Sequence, residues 1–216
     1  MTQRNLPKDM RDGKYSVHTS WQLDTHTGLV TTVATRTATL GQLFVLRWPS
    51  STHSLYVKYI GARFTCTTAY GTAQRTGCEL ILAHSFTVNA TDGTAVDMGS
   101  TVAHTNKLYS GFGTSKLTAG CVRVATTDGI TSGTQTLDAN AIGSVIGWTG
   151  AIGDQAPTAG SGAAGGFGTL FDEKQAGAPL KFDANQGFHI SNYILMGATG
   201  VGVWDFLVIA DEGIAE

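Results

Sequence analysis

The stretch LKFDANQGFHISNYILMGATGVGVWDFLVIAD, Leu180 to Asp211, decides the fold. Taken alternately, Phe188, Ile190, Ile194 and Met196 fall on one side of an extended chain, with His189, Ser191, Tyr193 and Leu195 on the other. After the turn-prone Gly197-Ala198-Thr199-Gly200, the run from Val201 to Ile209 sets Trp204, Phe206 and Val208 on one face. Val203, Leu207 and Ile209 take the other face, interrupted only by Asp205. The pair reads as a hairpin. Its second strand is apolar on both sides, and such a strand belongs in the core of a sandwich or has an outer face that meets another subunit.

Working outward, the same grammar of strand and turn recurs. The run LFVLRW from Leu43 gives a short apolar strand closed by Pro49. Leu55 to Thr68 and Cys78 to Val88 read as two long strands of a second hairpin, with Gly71 and Gly77 permitting the turn. Asp92-Gly93 marks a turn, and Asp128-Gly129 follows the strand CVRVATT at 121 to 127. The segment LDANAIGSVIGW, Leu137 to Trp148, has apolar groups at 137, 141, 142, 145 and 146, which predicts a short helix. Between Thr149 and Thr169, the glycine-rich SGAAGGFG makes a loop excursion rather than a linker, because strands resume directly after it. The expected fold is all-β, an antiparallel sandwich of jelly-roll type, with one domain over residues 21 to 216.

Residues 1 to 20 differ from this pattern. They are polar and basic, and their few apolar groups cannot form a core, so they read as an extended N-terminal arm. Its expected role is assembly. Arg4, Lys8, Arg11 and Lys14 would meet acidic groups on a neighbouring surface, while Leu6, Met10 and Tyr15 supply apolar anchors.

Composition bounds the function. Gly at 28 residues and charged residues at only 14% describe a turn-rich β chain with a bland surface, which is easily buried against neighbours. The charges are also unevenly placed. Residues 1 to 75 carry nine basic and three acidic side chains, whereas residues 124 to 216 carry two and ten. Such asymmetry suits a contact between subunits. There is no basic patch with interleaved aromatics, so nucleic acid is not an expected partner. The Met1 end has the form of neither a signal peptide nor an anchor, and no apolar run approaches the ~20 residues of a spanning helix, so no membrane is expected. Synthesis in the cytoplasm is the expectation. Cys66, Cys78 and Cys121 show no CxxC spacing and read as buried thiols, although Cys66 and Cys78 could oppose one another across the second hairpin.

No chemistry declares itself. GATGVG at 197 to 202 is GxxGxG, not the dinucleotide fingerprint, and no phosphate loop follows. His18, His26, His53, His84, His104 and His189 are scattered singly, without metal-ligand spacing. No GxSxG elbow occurs, and Asp172-Glu173 beside Lys174 reads as a solvated turn. The expectation is no enzyme, no catalytic residue, no cofactor and no metal.

Several phrases stand together: SFTV at 85 to 88, DGT at 92 to 94, NKLYSGFGTSKL at 106 to 117, VATTDGITSGTQTLDAN at 124 to 140, NQGF at 185 to 188 and TGVGVWDFLV at 199 to 208. This set resembles a family of virion structural proteins of tailed bacteriophages, in which an N-x-G-F strand and a final G-x-W-x-F strand close the chain. The resemblance spans about residues 40 to 210 and carries no catalytic motif. It implies a capsid cement or decoration protein on the phage head. Its partners would be itself, as a homotrimer, and the major capsid protein. The competing expectations are a tail, fibre or baseplate component, and a carbohydrate-binding β-module or β-fold enzyme. The last class would display exposed aromatics or paired carboxylates, and Trp21, Trp48, Trp148 and Trp204 show no spacing that groups them.

Overall fold

The computed structural model describes residues 17–30, 41–70, 75–98, 113–127, 129–131, 133–148, 167–194 and 200–214. In chain order the strands are β1 (Val17–His26), β2 (Gln42–Arg47), β3 (His53–Thr68), β4 (Arg75–Phe86), β5 (Thr94–Val96), β6 (Val122–Val124), β7 (Gln135–Leu137), β8 (Gly143–Trp148), β9 (Gly168–Asp172), β10 (Leu180–Phe182), β11 (Gly187–Asn192) and β12 (Val201–Ile214). One single-turn helix, α1 (Glu173–Ala176), lies between β9 and β10.

The strands form two antiparallel sheets packed on one another, an all-β sandwich. The first sheet runs β1-β12-β3, with β9 and β10 sharing the far edge of β3. The second runs β5-β6-β2-β11-β4, with β7 and β8 sharing the far edge of β4. The pairing is nested: β1 with β12, β2 with β11, β3 with β9 and β10, β4 with β7 and β8. This is the jelly-roll order.

Nesting of this kind overturns both hairpin readings. β11 lies in the second sheet and β12 in the first, and β3 and β4 are likewise in opposite sheets. The reason is the interior. Two strands with strongly apolar faces can be hairpin neighbours only if both faces point the same way, whereas here they face each other. Phe44 of β2 stacks on Phe188 at 5.7 Å and reaches Phe206, in the other sheet, at 5.6 Å. Phe64 packs on Trp204 at 5.1 Å. The core therefore spans both sheets and includes Trp21, Trp48 and Trp204. At the β8–β9 edge the two sheets come close together: a side-chain carbon at Gly143 would lie 2.0 Å from the Leu170 carbonyl oxygen.

The two faces of β11 are both buried, His189 and Ser191 as fully as Phe188 and Ile190. On β12 the side facing inward is buried, while Val203, Leu207 and Ile209 are half-buried on the outer face. Cys66 and Cys78 belong to opposite sheets and all three cysteines are buried free thiols.

The helix expected over Leu137 to Trp148 does not form. Its ends belong to β7 and β8, which pair with β4, so sheet pairing overrides the helical spacing. The single helix among the described residues sits instead at the stretch read as a solvated turn. Asp172 caps it by accepting from the Lys174 N–H at 2.9 Å, and Gly177, at φ 84°, closes it in the left-handed region. Asp92 and Gly93 have φ of 60° and 59°, in keeping with the turn expected there. The arm residues Arg4, Leu6, Lys8, Met10, Arg11, Lys14 and Tyr15 lie outside the described residues, as does 149–166 of the glycine-rich excursion. Val17 to Ser20, read as the end of the arm, are the first residues of β1, and Thr19 and Ser20 are buried.

Candidate functional site

Several ionisable groups gather around Glu212, a fully buried residue near the end of β12. β12 lies between β1 and β3, which brings Trp21 and Ser20 alongside it from one strand and Lys58 from the other. Glu212 Oε1 accepts from Trp21 Nε1 at 2.9 Å and from Ser115 Oγ at 2.5 Å. Its Oε2 accepts from the Lys116 backbone N–H at 2.8 Å. Burial pushes the Glu212 carboxyl up, against the opposing pull of these three bonds and of the nearby His18. Next to it, Asp211 accepts from Ser20 Oγ at 2.6 Å and forms an ion pair with Lys58.

These contacts fasten one segment. Gly113 N donates to the His18 carbonyl at 3.0 Å, and His18 Nε2 donates to the Thr114 carbonyl at 2.9 Å. With the Glu212 bonds, they lay residues 113–118 along the edge of β1, and Leu117 inserts into the core. The His18 ring meets His53 edge-on at 4.7 Å between centroids. Burial, followed by the proximity of His18 and Lys116, holds the His53 imidazole below its usual range. A carboxylate with both oxygens bonded to protein donors is arranged as a fastener rather than as a proton acceptor for a substrate.

The outer face of the first sheet carries the half-buried stripe Val203, Leu207 and Ile209. Within this stripe Asp205 is paired with Arg63 through Nη2 at 2.9 Å and Nε at 3.0 Å, and the exposed Asp24 of β1 lies opposite Leu207 on the same face. Arg63 also lies over the Phe167 ring at 5.1 Å. The pairs Lys58–Asp211 and Arg63–Asp205 each join a cation of the basic half of the chain to a carboxylate of the acidic half. At these two places the charge asymmetry serves the β3–β12 pairing within the chain.

An open hollow of about 390 Å³ is lined by Glu79, Ala141, Ile142, Gly143, Ser144 and Tyr193. Its Tyr193 hydroxyl is pushed up, chiefly by burial. Among the described residues no cluster of three or more His, Cys, Asp or Glu is disposed to hold a metal ion. Trp21, Trp48 and Trp204 are core residues and offer no exposed aromatic platform. Glu212 was the residue sequence reasoning passed over. The signal was an acid pair, Asp211-Glu212, at the end of a strand whose one other charged residue is Asp205.

Compared with protein-family models, with curated proteins and with solved structures, the chain finds no match in any of the three.

Proposed function

We propose that this chain is a non-enzymatic virion structural protein, a cement or decoration protein that stabilises the head of a tailed phage as a homotrimer on the major capsid protein. The observation that carries the reading is how the buried polar groups are used. Glu212 and Asp211 fasten a loop segment and a neighbouring strand, and Ser54 Oγ holds Asp183 at 2.6 Å beside the start of β11. Ionisable groups committed to internal ties suit a rigid building block. The jelly-roll order supports the reading at the level of fold, since capsid domains use it, although lectin domains and cupins do too. The sequence phrases that resemble phage virion proteins supply the particular role. Subunit contact is assigned in this reading to the outer face of the first sheet, where Val203, Leu207 and Ile209 form an apolar stripe and Asp205 is already neutralised.

The test is reconstitution. Purified chain mixed with heads lacking it should co-sediment with them, and binding should weaken as salt rises. Co-sedimentation with isolated tails instead of heads would transfer the protein to the tail, fibre or baseplate. Binding to neither particle would overturn the reading.

A further inference from the structure

A pair of imidazoles closes the corner where residues 113–118 lie along β1. His18 of β1 and His53, the first residue of β3, meet edge-on with ring centroids 4.7 Å apart. The His18 ring also touches the segment it fastens. A side-chain carbon on Gly113 would lie 2.3 Å from His18 Cε1, so the ring rests directly against the Gly113 backbone, and its Nε2 donates to the Thr114 carbonyl at 2.9 Å. His53 is held by its own loop. Its backbone N–H donates to Ser50 Oγ at 3.1 Å, its carbonyl accepts from Trp48 Nε1 at 2.6 Å, and its Nδ1 shares a hydrogen bond with Thr52 Oγ1 at 2.9 Å. Any movement of the His18 ring relative to His53 is therefore felt at Gly113 and Thr114.

The charged groups around the pair come from each element packed there. Burial first, then His18 of β1 and Lys116 of the segment, oppose a proton on His53 and hold its imidazole below the ordinary range. The carboxylates of this corner are already engaged. Glu212 of β12 lies close to His18 and accepts from three donors, Asp211 binds Ser20 and Lys58, and Asp183 accepts from Ser54, the residue after His53. Glu212 balances one proton on the pair, but a second sets two cations 4.7 Å apart. Even in bulk water, charges at that separation repel by about a fourfold change in an equilibrium constant. The neutral form of His53 is the one the fold favours, so its contribution is present above the ordinary value of 6.5 and is lost as pH falls below it.

We propose that the His18–His53 pair is an acid-sensitive latch, which releases the Gly113–Thr114 end of the segment when both rings carry protons. The other end stays fastened, because Glu212 holds Ser115 and Lys116 and Leu117 lies in the core. What opens is the edge of β1 at His18, whose carbonyl loses the Gly113 N–H. A strand edge freed in this way can pair with another chain. This inference is independent of the capsid reading.

The test is an NMR titration of the full chain from about pH 8 to about pH 5, which follows the ring signals of His18 and His53 and the exchange protection of the Gly113 and Lys116 amides. The two rings should titrate in two separate steps. Over the second step Gly113 protection should fall about fourfold or more, while protection at Lys116 and in the core strands holds. His53→Gln, at a partly exposed position, keeps a polar side chain that cannot take the proton, and it should remove that fall. The two-step pattern is read on the native chain, so it decides the matter even where His53→Gln fails to fold. A single shared step, Gly113 protection unchanged through the second step, an equal fall in His53→Gln, or a fall spread over the core strands would overturn the proposal.

Discussion

Replacing Glu212 by alanine removes one acceptor group from three donors at once: the Trp21 indole, the Ser115 hydroxyl and the Lys116 backbone N–H. Each donor left unmatched in a buried place costs about 1–3 kcal/mol, and removal of the buried charge offsets part of the sum. The expected loss is about 2–4 kcal/mol, which for a domain of this size lowers Tm by about 5–15 °C. Glu212→Gln keeps one carbonyl oxygen but sets its NH₂ against a donor, so its loss should be about half as large. Urea unfolding gives the magnitude, and hydrogen exchange gives the place, because the Lys116 and Gly113 amides should lose protection before the core strands do. The pH dependence has a fixed sign. Burial raises the Glu212 carboxyl in the fold, so its protonated form is favoured there. That contribution is fully present below the ordinary carboxyl range and is lost as pH rises through the raised value. The stability gap between the native chain and Glu212→Gln should therefore narrow as pH rises from the acid side. A loss below about 1 kcal/mol for the alanine variant, with 113–118 protection unchanged, would refute the fastener.

Phe206→Ala empties a fully buried position packed on Phe44 and Trp204, and urea unfolding should show a loss of about 3–5 kcal/mol. Gly143→Ala forces a methyl against the Leu170 carbonyl at the β8–β9 edge, so it should destabilise by about 1–3 kcal/mol and separate these strands in exchange measurements. The three thiols are buried, and burial pushes the Cys78 thiol far above its usual range, so a thiol reagent should label the chain only on unfolding. Deleting residues 1–16 leaves β1 intact from Val17, and circular dichroism should match that of the full chain while particle binding is lost.

Much of the sandwich was legible from residues 188 to 209 because a two-residue period survives any partner a strand acquires. Trp204, Phe206 and Val208 face inward as their alternation dictates. Which strand pairs with which was not legible. Alternation fixes faces and says nothing about whether a turn folds a strand onto its neighbour or carries it to the opposite sheet, and so β11–β12 and β3–β4 both read as hairpins. The helix was misassigned for a related reason. Gly143 and Val145 to Trp148 are drawn into pairing with Arg75 to Leu80, residues distant in sequence, whereas the one helical turn among the described residues lies where the sequence was read as a solvated turn, closed by Asp172 and Gly177. The fastening acid Glu212 depends on donors 96 positions away or more, beyond the reach of spacing within one segment.

The claim that this is a head protein is tested most directly by a cryo-electron reconstruction of the phage particle that carries it. The account predicts jelly-roll density with the β1-β12-β3 pairing seated on the outer capsid lattice as trimers, in contact with the major capsid protein. A fully resolved head surface without such density, with the chain found on the tail or absent from the particle, would contradict it.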